Sequence, residues 1–177
     1  MSISTLRSRL GSLVRDVPDF PKFGIVFKDI TPLLADRDAL RDATRAMADP
    51  YRDAGIDRVV GVESRGFILG SCVALELGVG FIPVRKPGKL PGATTSIEYA
   101  LEYGTDKLEV HTDACDRAAR IIVVDDVLAT GGTAQATCEL MERVGANVVG
   151  LSFLITLGFL KGLDRLGSRR IETLLTY

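Results

Sequence analysis

Short unbroken apolar runs alternate along the chain with segments whose apolar positions recur every three or four residues. The runs at 59–62, 81–84, 121–124 and 148–153 are rich in valine and isoleucine, and runs without polar alternation mark strands covered on both faces, as in a parallel sheet. Between them, residues 39–51, 67–77 and 134–144 carry helix-like spacing and lead into Gly55, Gly78 and Gly145, which suit helix ends. The alternation predicts an α/β fold, a parallel sheet flanked by helices, in one domain spanning 1–177. At the N-terminus Ile3, Leu6, Leu10, Leu13, Val14 and Val17 keep a helical period and predict a docked helix. One stretch departs from the alternation: 94–111 reads as two extended segments, 96–103 and 107–111, around a Gly104-Thr105-Asp106 turn, an antiparallel hairpin. Ahead of it, Lys86-Pro87-Gly88-Lys89-Leu90-Pro91-Gly92 has too much proline and glycine for regular structure, and Arg85, Lys86 and Lys89 concentrate positive charge there. Such an excursion is either exposed surface or a lid.

With 177 residues, 46% of them apolar, the chain can build its own core, and it is too apolar to be disordered. Its 22 basic and 23 acidic side chains nearly cancel, so no broad field draws nucleic acid or anionic lipid, and any anion must be recognised locally. Cys72, Cys115 and Cys138 are odd in number and widely spaced, which fits neither a disulfide framework nor a paired metal motif and points to a reducing, cytoplasmic setting. The apolar stretch at 148–160 falls short of the roughly 20 residues a membrane span needs. Residues 1–15 are rich in serine and arginine without an acid, a weak likeness to an organelle leader, but their helical period favours the docked helix.

The strongest chemical signal is Ile121-Ile122-Val123-Val124-Asp125-Asp126-Val127-Leu128-Ala129-Thr130-Gly131-Gly132-Thr133, followed by a helical pattern. It reads as a buried strand ending in two carboxylates, then a Gly/Thr loop opening a helix. Ligands of open α/β sheets collect at the carboxyl ends of strands, and a helix N-terminus offers unpaired N–H groups to an anion. Gly131 and Gly132 let the backbone curl around a phosphate, and Thr130 and Thr133 add hydroxyls. The cup has no lysine of the P-loop kind, and Gly78-Val79-Gly80 leads to Pro83, not to the third glycine of a dinucleotide site. Asp125 and Asp126 would repel a phosphate but suit adjacent sugar hydroxyls, so the implied ligand is a ribose 5-phosphate. The bland alternative is a strand that merely ends in Asp-Asp and a chain that merely turns at Gly-Gly.

This string resembles the phosphoribosyl pyrophosphate (PRPP) motif of the type I phosphoribosyltransferases. The similarity extends along nearly the whole chain through Pro18-Asp19-Phe20-Pro21, then Gly24-Ile25-Val26-Phe27-Lys28-Asp29-Ile30-Thr31-Pro32, Glu63-Ser64-Arg65-Gly66-Phe67, residues 85–92, and Leu101-Glu102-Tyr103-Gly104. Several of these stretches match the adenine-specific members of that family more than the others. The resemblance implies the family's fold, with 1–34 as N-terminal helix and hood, 85–111 as lid hairpin, and a homodimer. It implies a glycosyl transfer of purine salvage, adenine and PRPP giving AMP and pyrophosphate, with Mg²⁺ held largely by substrate oxygens and Asp125 as the candidate protein ligand.

Carried over residue by residue, the resemblance assigns the 5-phosphate and ribose to Asp125, Asp126, Ala129, Thr130, Gly131, Gly132 and Thr133. Pyrophosphate falls to Glu63, Ser64, Arg65, Arg85, Lys86, Lys89 and Tyr103, with a strained peptide at Glu63-Ser64. Adenine falls to the backbones of Val26 and Lys28 and to Phe27 and Leu128 on its two faces, and Glu102 is the candidate catalytic carboxylate. Taken singly, Phe27 also reads as a core aromatic, each lysine as a solvated cation and Glu102 as a hairpin acid. His111 reads as an exposed strand residue, and Cys72 and Cys138 as core thiols. Many family members carry an acid where Thr156 stands here. The same fold also serves hypoxanthine, xanthine or orotate, or a PRPP-sensing regulator, but a regulator would show a lost lid or a lost Glu102 and a basic DNA-binding face.

Overall fold

The computed structural model describes residues 2–100 and 104–177. Two compact units divide them, Met1–Ala46 and Met47–Tyr177. In the smaller unit Ser2 caps helix α1 (Ile3–Gly11), its hydroxyl accepting the Thr5 N–H at 3.2 Å, and Leu6 and Leu10 are buried along one face. The helix is shorter than its apolar period predicts. It stops at Gly11, and Val17 lies instead in strand β1 (Arg15–Pro18), opposite Phe27 of β2 (Val26–Asp29) in an antiparallel ribbon. Glycine at the helix end and the β-branched side chains beyond it favour that outcome. Helices α2 (Thr31–Ala35), with a proline in its first turn, and α3 (Arg37–Ala48) follow.

The larger unit is built on strands β3 (Arg58–Val62) and β4 (Gly80–Val84), joined by helix α4 (Arg65–Leu77). After them come the hairpin β5 (Thr94–Ala100) and β6 (Thr105–His111), then β7 (Arg120–Leu128), helix α5 (Gly132–Arg143), β8 (Asn147–Thr156), the single turn α6 (Gly162–Arg165) and β9 (Ile171–Thr176). Five of the strands form one parallel sheet in the order β4-β3-β7-β8-β9, and the four apolar runs seen in the sequence are its first four members. Strand β9 escaped the sequence reading because 171–176 carries Glu172, Thr173 and Thr176 among its apolar residues. Val60, Val123, Leu140, Met141, Leu151 and Phe153 are fully or almost fully buried in the core. No helix of the described residues is long and apolar enough to cross a membrane.

Thr156 ends β8 almost fully buried, its hydroxyl donating to Thr173 Oγ1 at 2.9 Å on the neighbouring strand. A neutral hydroxyl pair satisfies this position, whereas a carboxylate there would need a cation to offset its desolvation.

From β3 the chain moves outward to β4 and later returns to the other side of β3 as β7. The strand order therefore reverses between β3 and β7, and a parallel sheet opens its binding crevice at such a point. Because Gly61 is level with Val124, the turn after Val62 lies beside Asp125 and Asp126.

Candidate active site

Strand β7 runs to Leu128, so Asp125 and Asp126 lie within it rather than at its end. Pairing with β8 continues past them through Val127–Ile155 and Leu128–Thr156. Residues 129–131 then turn the chain, with Gly131 at φ 81°, and α5 begins at Gly132. The left-handed backbone at Gly131 is one that residues with a Cβ rarely adopt, and it aims the first N–H groups of α5 at one point. Thr130 and Thr133 are half-buried in this loop and helix start. Residues 129–133 thus make the loop and helix start that the sequence reads as a phosphate cup.

The second loop arrives from β3. The Glu63–Ser64 peptide bond is cis, and α4 starts at once with Arg65. A Cβ on Gly66 would stand 2.7 Å from Asp125 Oδ1, so α4 begins in contact with the acidic pair. Arg65 Nε donates to the buried Asp126 Oδ2. Asp125 Oδ1 accepts the Asp126 N–H at 2.9 Å. Desolvation first, and the neighbouring Asp126 carboxylate second, push the Asp125 carboxyl well above the usual carboxylate range.

A carboxyl that holds its proton more tightly when folded stabilises the fold at low pH. That contribution is complete below the unfolded value of about 3.9 and is lost as pH rises through the raised folded one. Asparagine can still accept the Asp126 N–H without ever ionising. We therefore expect Asp125→Asn to melt higher than the wild type at pH 7–8, by about 2–4 °C per kcal/mol recovered, and to flatten the dependence of Tm on pH between 5 and 8. Parallel melting curves for the two proteins would show that Asp125 does not titrate in that range.

Of the three cations of 85–89, Arg85 and Lys86 are held by acids. Arg85 Nε donates to Glu63 Oε2 at 2.9 Å, and its backbone bridges Glu109 of β6. Lys86 Nζ donates to Asp106 Oδ2, and that hydrogen bond raises the ammonium above its ordinary value. Lys89 is exposed, and its ammonium has no partner among the described residues. The hairpin forms, but its strands pair from Thr94–His111 to Ala100–Thr105, which places Thr105 and Asp106 in a strand rather than in the expected turn. Tyr99 and Asp106 are thereby directly opposite, and the Tyr99 hydroxyl lies 3.3 Å from both Asp106 Oδ2 and Thr133 Oγ1 of α5. The sequence reading missed both residues, although correct hairpin register would have put them on one face.

Glu102 and Tyr103 lie outside the described residues. Leu128 is almost fully buried within the core cluster. In the smaller unit Val26 and Lys28 flank the half-buried Phe27, whose ring meets Phe20 edge-on at 5.1 Å. His111 ends β6 half-buried, Cys72 is half-buried and Cys138 is fully buried. Among the described residues no group of three His, Cys, Asp or Glu could hold a metal alone.

Residues 30–168 match the family described as phosphoribosyl transferase domain. The chain is 54% identical over 174 residues to an adenine phosphoribosyltransferase of Myxococcus xanthus, covering 98% of this chain and 95% of the relative. It is 57% identical over 169 residues to that of a Nocardioides species, covering 93% and 91%. Among solved structures, the adenine phosphoribosyltransferase of Rhodothermus marinus is similar with a TM-score of 0.94 and 50% identity, covering 98% of this chain and 99% of the other. That of Saccharomyces cerevisiae, complexed with an imino-altritol bisphosphate and adenine, has a TM-score of 0.91 and 38% identity, covering 97% and 99%.

Proposed function

The chain belongs to the phosphoribosyl transferase family, and from that premise we propose that it transfers the 5-phosphoribosyl group of PRPP to adenine, giving AMP and pyrophosphate. The observation that carries this reading is the meeting, at the point where strand order reverses, of a phosphate cup, an acidic pair and a turn led by an arginine. Among the relatives, the yeast structure's adenine and bisphosphate fit the same chemistry.

The 5-phosphate seats on the first N–H groups of α5 and the hydroxyls of Thr130 and Thr133, with Ala129, Gly131 and Gly132 lining it. Asp125 and Asp126 accept the ribose 2′- and 3′-hydroxyls and face the positive charge that develops on the sugar as the C1′–O bond to pyrophosphate breaks. Glu63 and Ser64 line the pyrophosphate side, and the family likeness assigns Tyr103 to the same group. Arg65, Arg85 and Lys86, held by Asp126, Glu63 and Asp106, exchange a carboxylate for a diphosphate oxygen when the substrate binds, and Lys89 joins them. The hairpin acts as the lid that excludes water.

The donor set suits Mg²⁺, a hard cation that takes one or two carboxylates and completes its shell with phosphate oxygens and water. Asp125 is the carboxylate that would hold it, and the ion would supply neutralisation of charge on the departing diphosphate. A homodimer rests on the family likeness, and three free cysteines support a reducing, cytoplasmic setting.

The test is direct. Purified protein, PRPP, Mg²⁺ and each nucleobase in turn should yield AMP from adenine. Nucleotide formed from none of the bases overturns the reading.

A further inference from the structure

The cup lacks the lysine that other phosphate loops carry, and the acids just before it are the wrong sign for a phosphate. The structure supplies a cation from elsewhere in the chain. Helix α6 opens at Gly162, where a Cβ would stand 2.1 Å from the Ala129 carbonyl oxygen and 3.0 Å from the Gly131 nitrogen, so α6 lies directly on the cup loop. A Cβ on Gly131 would in turn stand 2.5 Å from the Gly162 oxygen and 3.3 Å from the Arg165 Cβ. Three residues after Gly162, Arg165 shares its face of the turn. Its Nη1 lies 3.2 Å from the place a Cβ on Gly132 would take, beside the first residue of α5. The segment is anchored beyond it by the fully buried Leu166 and by Arg169, which pairs with Glu142 of α5 at 3.0 Å. Arg165 is exposed, and among the described residues its guanidinium has no acid or carbonyl partner. Arg65, Arg85 and Lys86 are each already held by a carboxylate.

We propose that Arg165 is a further phosphate-binding residue, its guanidinium closing the cup over the 5-phosphate of the substrate and of the product nucleotide. The inference rests on the reading of the cup given above and adds to it the charge that the loop itself lacks. A guanidinium offers a planar fork to phosphate oxygens, and the α5 N–H groups meet the same anion from below.

Calorimetry with AMP, together with steady-state kinetics, tests it on the wild type, Arg165→Gln and Arg165→Lys. For Arg165→Gln, the Kd for AMP and the KM for PRPP should both rise by about 10–100-fold, the worth of a charge-assisted hydrogen bond. The KM for adenine and kcat at saturating PRPP should move less than about threefold, and Tm should stay put because the side chain is exposed. Arg165→Lys should fall between, since an ammonium keeps the charge and loses the fork. An unchanged AMP affinity overturns the role of Arg165 alone. So does a parallel rise in the KM for adenine, which would mark a general disturbance of the site. A wild-type protein that binds no AMP overturns the reading of the cup, and the role of Arg165 with it.

Discussion

Offered hypoxanthine in place of adenine, the protein should lose a factor of about 10⁴ in kcat/KM. Adenine presents an amino donor at position 6 beside a ring-nitrogen acceptor, and a 6-oxo purine reverses both. The proposed readers are backbone groups of Val26 and Lys28, and those cannot rotate to suit either pattern as a hydroxyl can. In the ribbon of β1 and β2, half of the backbone groups of β2 face away from β1, and Val26 and Lys28, two residues apart, address one edge together. The Lys28 ammonium is engaged by Asp16 at 2.6 Å, which leaves its main chain as the part suited to reading a base. Phe27 lies between them with its ring on the opposite side of the strand. A reversed donor and acceptor would each be buried without a partner, and that cost, rather than shape, sets the discrimination. Steady-state kinetics with the two bases decides it. A ratio near one would show that 26–28 does not read the purine edge, while leaving phosphoribosyl transfer to some base intact.

The sequence made the parallel strands and the cup legible for one physical reason. Strands buried on both faces must be continuously apolar, and a strand-to-helix turn around an anion needs glycine, so both leave compositional marks at fixed places. Strand β9, half-buried and mixed in character, leaves none, and the same is true of the ribbon of β1 and β2, whose short members are exposed or half-buried throughout. Val17 kept a helical period by coincidence and found its partner in Phe27 instead. Asp106 was lost to a mistaken turn: glycine at 104 with threonine and aspartate after it looks like a loop, yet pairing resumes at Thr105. Arg65 was legible as a phosphate ligand by its type and position, but its present partner, Asp126, lies 61 residues away and only the fold brings them together. Arg165 is the extreme case, since nothing in Gly162-Leu163-Asp164-Arg165 marks a phosphate site until α6 is seen lying on the loop. Long-range charge placement is what the sequence hides.

Replacing Glu102 by glutamine should lower kcat by roughly 10²–10⁴, the usual span for a general base. As N9 of adenine attacks C1′, the imidazole ring must shed a proton, and a group near the base must take it or offset the charge that builds on the ring. Histidine is the common choice, but His111 is the only one in the chain and ends β6 at the far end of the hairpin from the tip. The chain arithmetic favours Glu102 instead. The Ala100 carbonyl lies 3.4 Å from where a Gly132 Cβ would stand, so the hairpin end adjoins the first residue of the cup helix, and two more residues of chain reach at most about 7 Å. Lid closure would then deliver the base only when Arg85, Lys86 and Lys89 have met pyrophosphate, which protects the activated ribose from water. Glutamine keeps the size and loses the proton acceptor, so PRPP binding measured by calorimetry should change little while turnover collapses. The acidic limb of the kcat–pH profile should go with it, since that limb reports the protonation of the base in the bound complex. An unchanged kcat would remove Glu102 from the mechanism, and a matching loss of PRPP affinity would make it a residue that orders the lid instead.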